Sequence, residues 1–236
     1  MNEPPRIQWG KEGQQQLLTR AEAMLHKPGR SILGIAGPPG AGKSTISAWL
    51  YEHLTVRYPR EVAVVPMDGF HLAQSLLQAR GLEHRKGAPD TFDGAGYIAI
   101  LHRLRAHSQR EVLAPTFRRD IEDPIAGAIP VAADVRLIIT EGNYLLLDEE
   151  PWNDVAPLLD EVWFVELDSE ERVRRLTARH MQFDRDLAIA EWRATGNDER
   201  NAVLVAAGSH RSNLIIEHTP TDMPVTAPAE NLGRMV

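Results

Sequence analysis

Short apolar runs alternate with amphipathic segments along most of this chain. Ser31–Ala36 (S-I-L-G-I-A), Glu61–Met67 (E-V-A-V-V-P-M), Val135–Thr140, Val162–Leu167 and Leu214–Glu217 have strand length. Their near-continuous apolar character fits strands buried on both faces of a parallel sheet. In Gly10–His26, Leu17, Leu18, Ala21, Met24 and Leu25 share one helical face, and Lys27-Pro28-Gly29 stops the helix. Further helices are predicted over Gly42–Val56, His71–Arg80, Gly94–His107, Ser169–His180, Arg185–Ala194 and Glu199–Ser209. Ser169 reads as the N-cap of its helix, with glutamates in the first turn at the favourable end for negative charge. Val112–Thr116 and Ile129–Val131 are weaker strand signals, and the Pro/Thr-rich tail from His218 is expected to be flexible. Strands alternating with helices predict an α/β three-layer sandwich around a mainly parallel five-stranded sheet. With no repeat and no long linker, residues 1–236 read as one domain. Ligands of such sheets bind at the carboxyl ends of the strands.

Composition narrows the function classes. A net charge of -7 disfavours a nucleic-acid binder that works by bulk electrostatics. There is no cysteine, so disulfides, thiolate chemistry and Cys-based zinc sites are excluded. No apolar run reaches the roughly 20 residues that span a bilayer. Met1–Arg6 is polar and shows no secretory signal, so a cytoplasmic protein with neither nucleic-acid nor membrane partner is expected. No motif encodes the oligomeric state; a homodimer is the default.

The chemistry sits just after the strands. Gly37-Pro38-Pro39-Gly40-Ala41-Gly42-Lys43-Ser44, followed by Thr45, fits G-x-x-x-x-G-K-[ST] between a predicted strand and helix. Such a loop points backbone N–H groups at phosphate oxygens, and the helix that follows aims its positive end at the same anion. Lys43 supplies a compact cation for the β and γ phosphates, and Ser44 offers a hydroxyl to Mg²⁺. ATP and Mg²⁺ are therefore the expected cofactors. Asp68, after the second strand, suits a carboxylate that accepts a hydroxyl proton or holds Mg²⁺ through water; an Asx-turn explains it equally well locally. Glu141 ends an apolar strand in a Walker-B-like position. Arg172, Arg175 and Arg179 share a helical face, with Arg185 just beyond. That pattern fits a lid over a transferring phosphoryl group, or a solvated face with Glu170–Arg174 and Glu171–Arg175 pairs. Arg85–Asp93 and Pro115–Asp120 read as polar connections, the first long enough for a substrate loop.

The succession P-M-D-G-F-H, R-K-G-A-P-D-T-F-D and E-G-N-Y-L-L-L-D resembles the uridine kinase / phosphoribulokinase / pantothenate kinase superfamily of P-loop kinases. The resemblance spans Ser31 to about Ile216; with the short N-terminal helix and Asn197–Val205 it is nearest to bacterial nucleoside/nucleotide or fructose-transport-system kinases. It implies an ATP-dependent kinase acting on a hydroxyl of a small metabolite (a nucleoside, a sugar or a pantothenate-like alcohol), with a helical lid. It further implies that Asp68 orients or deprotonates the hydroxyl, that Ser44 and Glu141 lie in the Mg²⁺ shell, and that Arg175 and Arg179 are lid cations. His71, Arg85, Lys86, Asp93 and Phe117 would face the acceptor. Relatives commonly carry an acid after the aromatic of P-x-[FY]-D; Arg118 stands there in this chain, a departure that favours a more anionic acceptor. An ATP-binding regulatory switch without an acceptor is the alternative; N-K-x-D, the guanine-reading motif of GTPase switches, is absent.

Overall fold

The computed structural model describes residues 3–106, 110–184 and 195–218; the predicted helix Arg185–Ala194 and the tail beyond His218 lie outside them. The central sheet runs in the order β1 (Arg6–Gln8), β8 (Leu214–Glu217), β7 (Glu161–Glu166), β2 (Ser31–Ala36), β6 (Leu137–Gly142), β3 (Val62–Val64). Every pairing is parallel. The sheet thus has six strands rather than the expected five. The additional β1 is three residues with no apolar run, held by its register on β8 and by Arg6, whose Nη1 lies 2.5 Å from both Glu166 and Glu217.

Side chains alternate across the strands, and each face has its own core. Leu33 and Ile35 of β2 pack with Leu17, Ala21 and Met24 of α1 (Lys11–Leu25) and with Ile46, Leu50 and Leu54 of α2 (Lys43–Arg57). Ile32 points the other way, with Ile138 and Phe164, onto Tyr97, Leu101 and Leu104 of α4 (Gly94–Arg105). Short α3 (Gln74–Arg80) follows a 3₁₀ turn at Met67–Phe70, so the predicted His71–Arg80 helix begins three residues late. His71 is instead extended and bridges Phe92.

Two expectations change on the sheet's far side. The weak strands are longer than predicted and form an antiparallel hairpin, β4 (Val112–Arg118) and β5 (Asp123–Val131), as a sheet of their own. Pro115 sits where the register shifts, as a residue without an N–H to donate should. The hairpin rests on the 3₁₀ turn: a Cβ added to Gly69 would lie 2.5 Å from the Pro115 carbonyl oxygen. At α5 (Ser169–Asp184) the cap is Asp168, not Ser169. Its Oδ1 accepts from Glu170 N at 2.9 Å and Glu171 N at 3.1 Å. The last described helix is α6 (Asn197–Ala206). Among the described residues no helix is long and apolar enough to cross a membrane.

Candidate active site

The loop Gly37–Gly42 leaves the carboxyl end of β2 and enters α2 at Lys43. Gly40 has φ +79, and a Cβ there would meet Leu176 Cγ at 2.8 Å and the Arg172 carbonyl at 3.2 Å. Only glycine lets α5 close onto the loop this tightly. Gly42 is left-handed at φ 100, which turns the chain into α2.

Lys43 lies at the floor of this loop, 8% exposed. Its Nζ donates to the Pro38 carbonyl at 3.0 Å and to Asn143 Oδ1 at 2.7 Å. Burial lowers its pKa to about 8, against the opposing pull of Glu141 and Asp68. Ser44 Oγ donates to Glu141 Oε1 at 3.1 Å, joining the start of α2 to the end of β6. Burial, and then the Asp68 carboxylate, push Glu141 above the usual carboxylate range, although Lys43 and Ser44 oppose them.

Asp68 sits in the 3₁₀ turn after β3 and keeps 32% of its side chain open. Burial would raise its pKa, but His71, Arg119, Lys43 and Arg179 together hold it below the ordinary value. Arg119 Nη2 is 3.6 Å from Asp68 Oδ2. His71 Nδ1 is 2.8 Å from the Asp68 carbonyl oxygen, and its ring lies 3.9 Å from that of Phe92 and 4.6 Å from that of Phe117. Lys86 Nζ reaches Gln74 Oε1, the Glu122 carbonyl and Glu122 Oε2, and stands 5.3 Å from the Phe117 ring centre.

The structure therefore gathers Gly37–Ser44, Glu141, Asp68, His71, Lys86 and Phe117 at the carboxyl edge of the sheet. Two residues expected at the acceptor are used otherwise. Arg85 pairs with Asp90 at 3.0 Å, each about half exposed. The Asp93 carboxylate caps α4, accepting from Gly96 N at 2.8 Å.

The arginine helix divides between the two roles that its sequence allows. Arg172 is 2% exposed and paired with Glu199 of α6, which ties the two helices together. Arg175 Nε donates to Glu171 Oε1 at 2.7 Å, the expected i,i+4 pair, while Arg174 takes the same carboxylate from outside. Burial and then the neighbouring Arg119 lower the pKa of Arg179, against the opposing pull of Asp198, Asp68 and Glu122. Arg172 Nη1 and Arg175 Nη2 are buried without a hydrogen-bond partner, and the same helix covers Gly40 with Leu176 and the Arg172 carbonyl. Orphaned guanidinium nitrogens on a helix that packs on the glycine-rich loop fit an anion that completes them.

Glu171 also yields a stability prediction. The hydrogen bonds from Arg174 and then Arg175 lower its pKa from 4.5 to about 2. A depressed carboxylate stabilises the fold above its unfolded pKa and loses that contribution as pH falls through the folded value. Glu171→Gln should melt below wild type at neutral pH. The gap should close between pH 4.5 and about 2 in thermal scans.

Arg119 and Asn143 were missed in the sequence. No local pattern marked Arg119: it stands in the hairpin turn one residue past β4, where strand alternation no longer applies, and its partner Asp68 is distant in sequence, while Arg118, the last residue of the strand, is exposed. Arg118 indeed pairs with Asp120 at 2.5 Å on the surface. Asn197 and Asn201 were also missed. Asn197 Nδ2 donates to the carbonyls of Arg85 (3.2 Å) and Lys86 (3.0 Å), and Asn201 Nδ2 to that of Gly87 (3.1 Å). These amides clip the Arg85–Gly87 loop to α6.

A parallel sheet with a lysine-bearing phosphate loop after one strand and an acid at the end of its neighbour defines a P-loop nucleotide-binding protein. No family model matches the chain. It is 34% identical over 197 residues to a Schizosaccharomyces pombe protein provisionally named a uridine kinase, covering 80% of this chain and 82% of that one. A crystal structure provisionally named as a fructose transport system kinase, from Silicibacter sp. TM1040, superposes with TM-score 0.76 at 38% identity. That match covers 84% of this chain and 98% of the other. Phosphoribulokinase from Rhodobacter spheroides shares the fold at TM-score 0.59 and 11% identity, over 84% of this chain and 75% of that one. The chain belongs to the family of uridine kinase-like P-loop kinases, and it is an ATP-dependent kinase.

Proposed function

We propose that this protein transfers the γ-phosphoryl group of ATP to a hydroxyl of a small metabolite. One observation carries the reading: Lys43, the Ser44–Glu141 pair and the Asp68 carboxylate converge on one sheet edge. The backbone of Gly37–Thr45 would hold the phosphates, with Lys43 between the β and γ groups. Ser44 and Glu141 would hold Mg²⁺. Among the described residues no cluster of three or more His, Cys, Asp or Glu could hold a metal. Two oxygens suit an ion that keeps most of its shell as water and nucleotide phosphate. When bound, Mg²⁺ supplies charge neutralisation at the phosphates.

The acceptor oxygen attacks phosphorus, the bond from the γ-phosphorus to the β–γ bridging oxygen breaks, and the hydroxyl proton passes to Asp68. Held ionised, Asp68 is a weak base, so most of its effect is to orient the hydroxyl and to take the proton late. Arg179, and Arg175 through its unpaired Nη2, would stabilise the transferring charge. His71, Lys86 and Phe117 would line the acceptor. The names of the relatives point to nucleoside and sugar alcohols.

The test is ADP formation from MgATP, which should depend on an added alcohol. Ser44→Ala should raise the Mg²⁺ concentration needed for half-maximal rate. Acceptor-independent ADP release at the full rate would point to the switch reading instead.

A further inference from the structure

The acceptor end of the site has a lopsided chemistry. Its floor is an aromatic stack, with the His71 ring between those of Phe92 and Phe117 and tilted 42° and 40° to them. Its inner end is the Asp68 carboxylate. Its rim is cationic: Arg119 arrives from the turn of the β4–β5 hairpin, Lys86 from the loop opposite, and Arg179 from α5.

These cations are not equally committed. Lys86 is held by Gln74 and by Glu122, and the nearby Asp123 carboxylate accepts from Gln74 N at 2.7 Å. Glu122 and Asp123 thus both have partners that fasten the hairpin turn to its surroundings. Among the described residues Arg119 forms no tighter pair than its 3.6 Å ionic contact with Asp68, beyond good hydrogen-bond length, and it stays 39% exposed. In phosphoryl transfer the acceptor hydroxyl must take the place beside Asp68. The hydroxyl then comes between the Asp68 carboxylate and Arg119, whose guanidinium is only in loose contact with that carboxylate. A neutral acceptor gives that guanidinium nothing further to bind; a charged acceptor supplies an anion, bidentately where it carries a carboxylate or a phosphate.

We infer that the acceptor is a hydroxyl-bearing anion, offering its hydroxyl to Asp68 and its carboxylate or phosphate to Arg119 across the His71–Phe117 floor. Arg119 is then the residue that determines acceptor specificity, a role the sequence position of Arg118 had suggested for its neighbour. The inference rests on the phosphoryl-transfer reading above.

A matched set of probes tests it: erythritol, erythronate and erythritol 4-phosphate, with uridine as a neutral nucleoside, each at saturating MgATP. ADP formation is followed for wild type, Arg119→Met and Arg118→Ala, with thermal melting as the check on folding. At least one of the two anions should exceed erythritol in kcat/KM by about 10- to 100-fold, the usual worth of a charge-assisted hydrogen bond. Whichever anion wins identifies the charged group. Arg119→Met should erase the advantage through KM, and Arg118→Ala, altered only in its surface pair with Asp120, should keep it. Erythritol matching the anions, or an anion preference that survives in Arg119→Met, overturns the inference. Uridine outpacing both anions overturns it too, while leaving the kinase reading intact. If none of the four stimulates ADP formation, both fall.

Discussion

Asp68→Asn should lower kcat by about 10²- to 10⁴-fold, the usual contribution of a positioned acid–base group. MgATP should bind that variant nearly as well as it binds wild type. The asymmetry follows from position. Lys43, Ser44 and Glu141 gather at the glycine-rich loop, whereas Asp68 opens towards Arg119, His71 and the hairpin. Asparagine keeps the volume and one acceptor oxygen but can neither take a proton nor balance Arg119. Removing the Asp68 charge should relieve Glu141, whose pKa it raises, and this offsets the lost attraction to His71, Arg119, Lys43 and Arg179. Stability should therefore change little, and a loss of turnover cannot be blamed on unfolding. Steady-state kinetics with an active acceptor, alongside equilibrium nucleotide binding, separates the two effects. Undiminished turnover would remove Asp68 from the chemistry.

The sequence revealed the parts of this molecule that rest on local pattern. The five apolar runs are strands because a parallel sheet buries both faces, and no other element of that length fits them. The phosphate loop was legible because its glycines, Lys43 and Ser44 must be contiguous. What escaped depends on distant partners. Strand β1 exists through pairing with β8, which its three residues do not announce. Asp168 displaces Ser169 as the cap of α5 because a carboxylate one residue earlier can reach two N–H groups. Arg172 looked equivalent to Arg175 and Arg179 on the helical wheel. Glu199, which lies far off in sequence, decides that it fastens two helices instead. Asp93 and Arg85 sat in a motif-like stretch, yet one caps α4 and the other pairs with Asp90. The hairpin had the most to reveal. Read as a connection, Pro115–Asp120 offered Arg118 by resemblance; folded as a hairpin, it brings Arg119 from its turn to Asp68.

Lys43→Met should abolish function and yet make the empty protein more stable. Lysine is buried here without a carboxylate in hydrogen-bond contact; its partners are the Pro38 carbonyl and the Asn143 amide oxygen. The fall of its pKa from 10.5 to about 8 corresponds to roughly 3 kcal/mol against the charged form. Methionine preserves the stem, removes the charge and forfeits two hydrogen bonds worth about 1 kcal/mol each. The net gain is about 1 kcal/mol, a rise of roughly 2–4 °C in Tm for a chain of this size. The sign depends on pH. Below pH 8 the lysine is protonated in both folded and unfolded states, and the full penalty applies. Between 8 and 10.5 the folded state sheds its proton while the unfolded state keeps it, so wild type gains stability as pH rises. The advantage of methionine should therefore shrink across that window. Catalysis responds in the opposite sense: without the cation at the β and γ phosphates, kcat/KM should drop by about 10²- to 10³-fold or more. The rise in Tm that MgATP gives wild type should largely vanish. Melting curves from pH 7 to 10, with and without MgATP, read both effects in one experiment. A destabilised Lys43→Met that still responds fully to MgATP would show that the buried lysine serves the fold rather than the nucleotide.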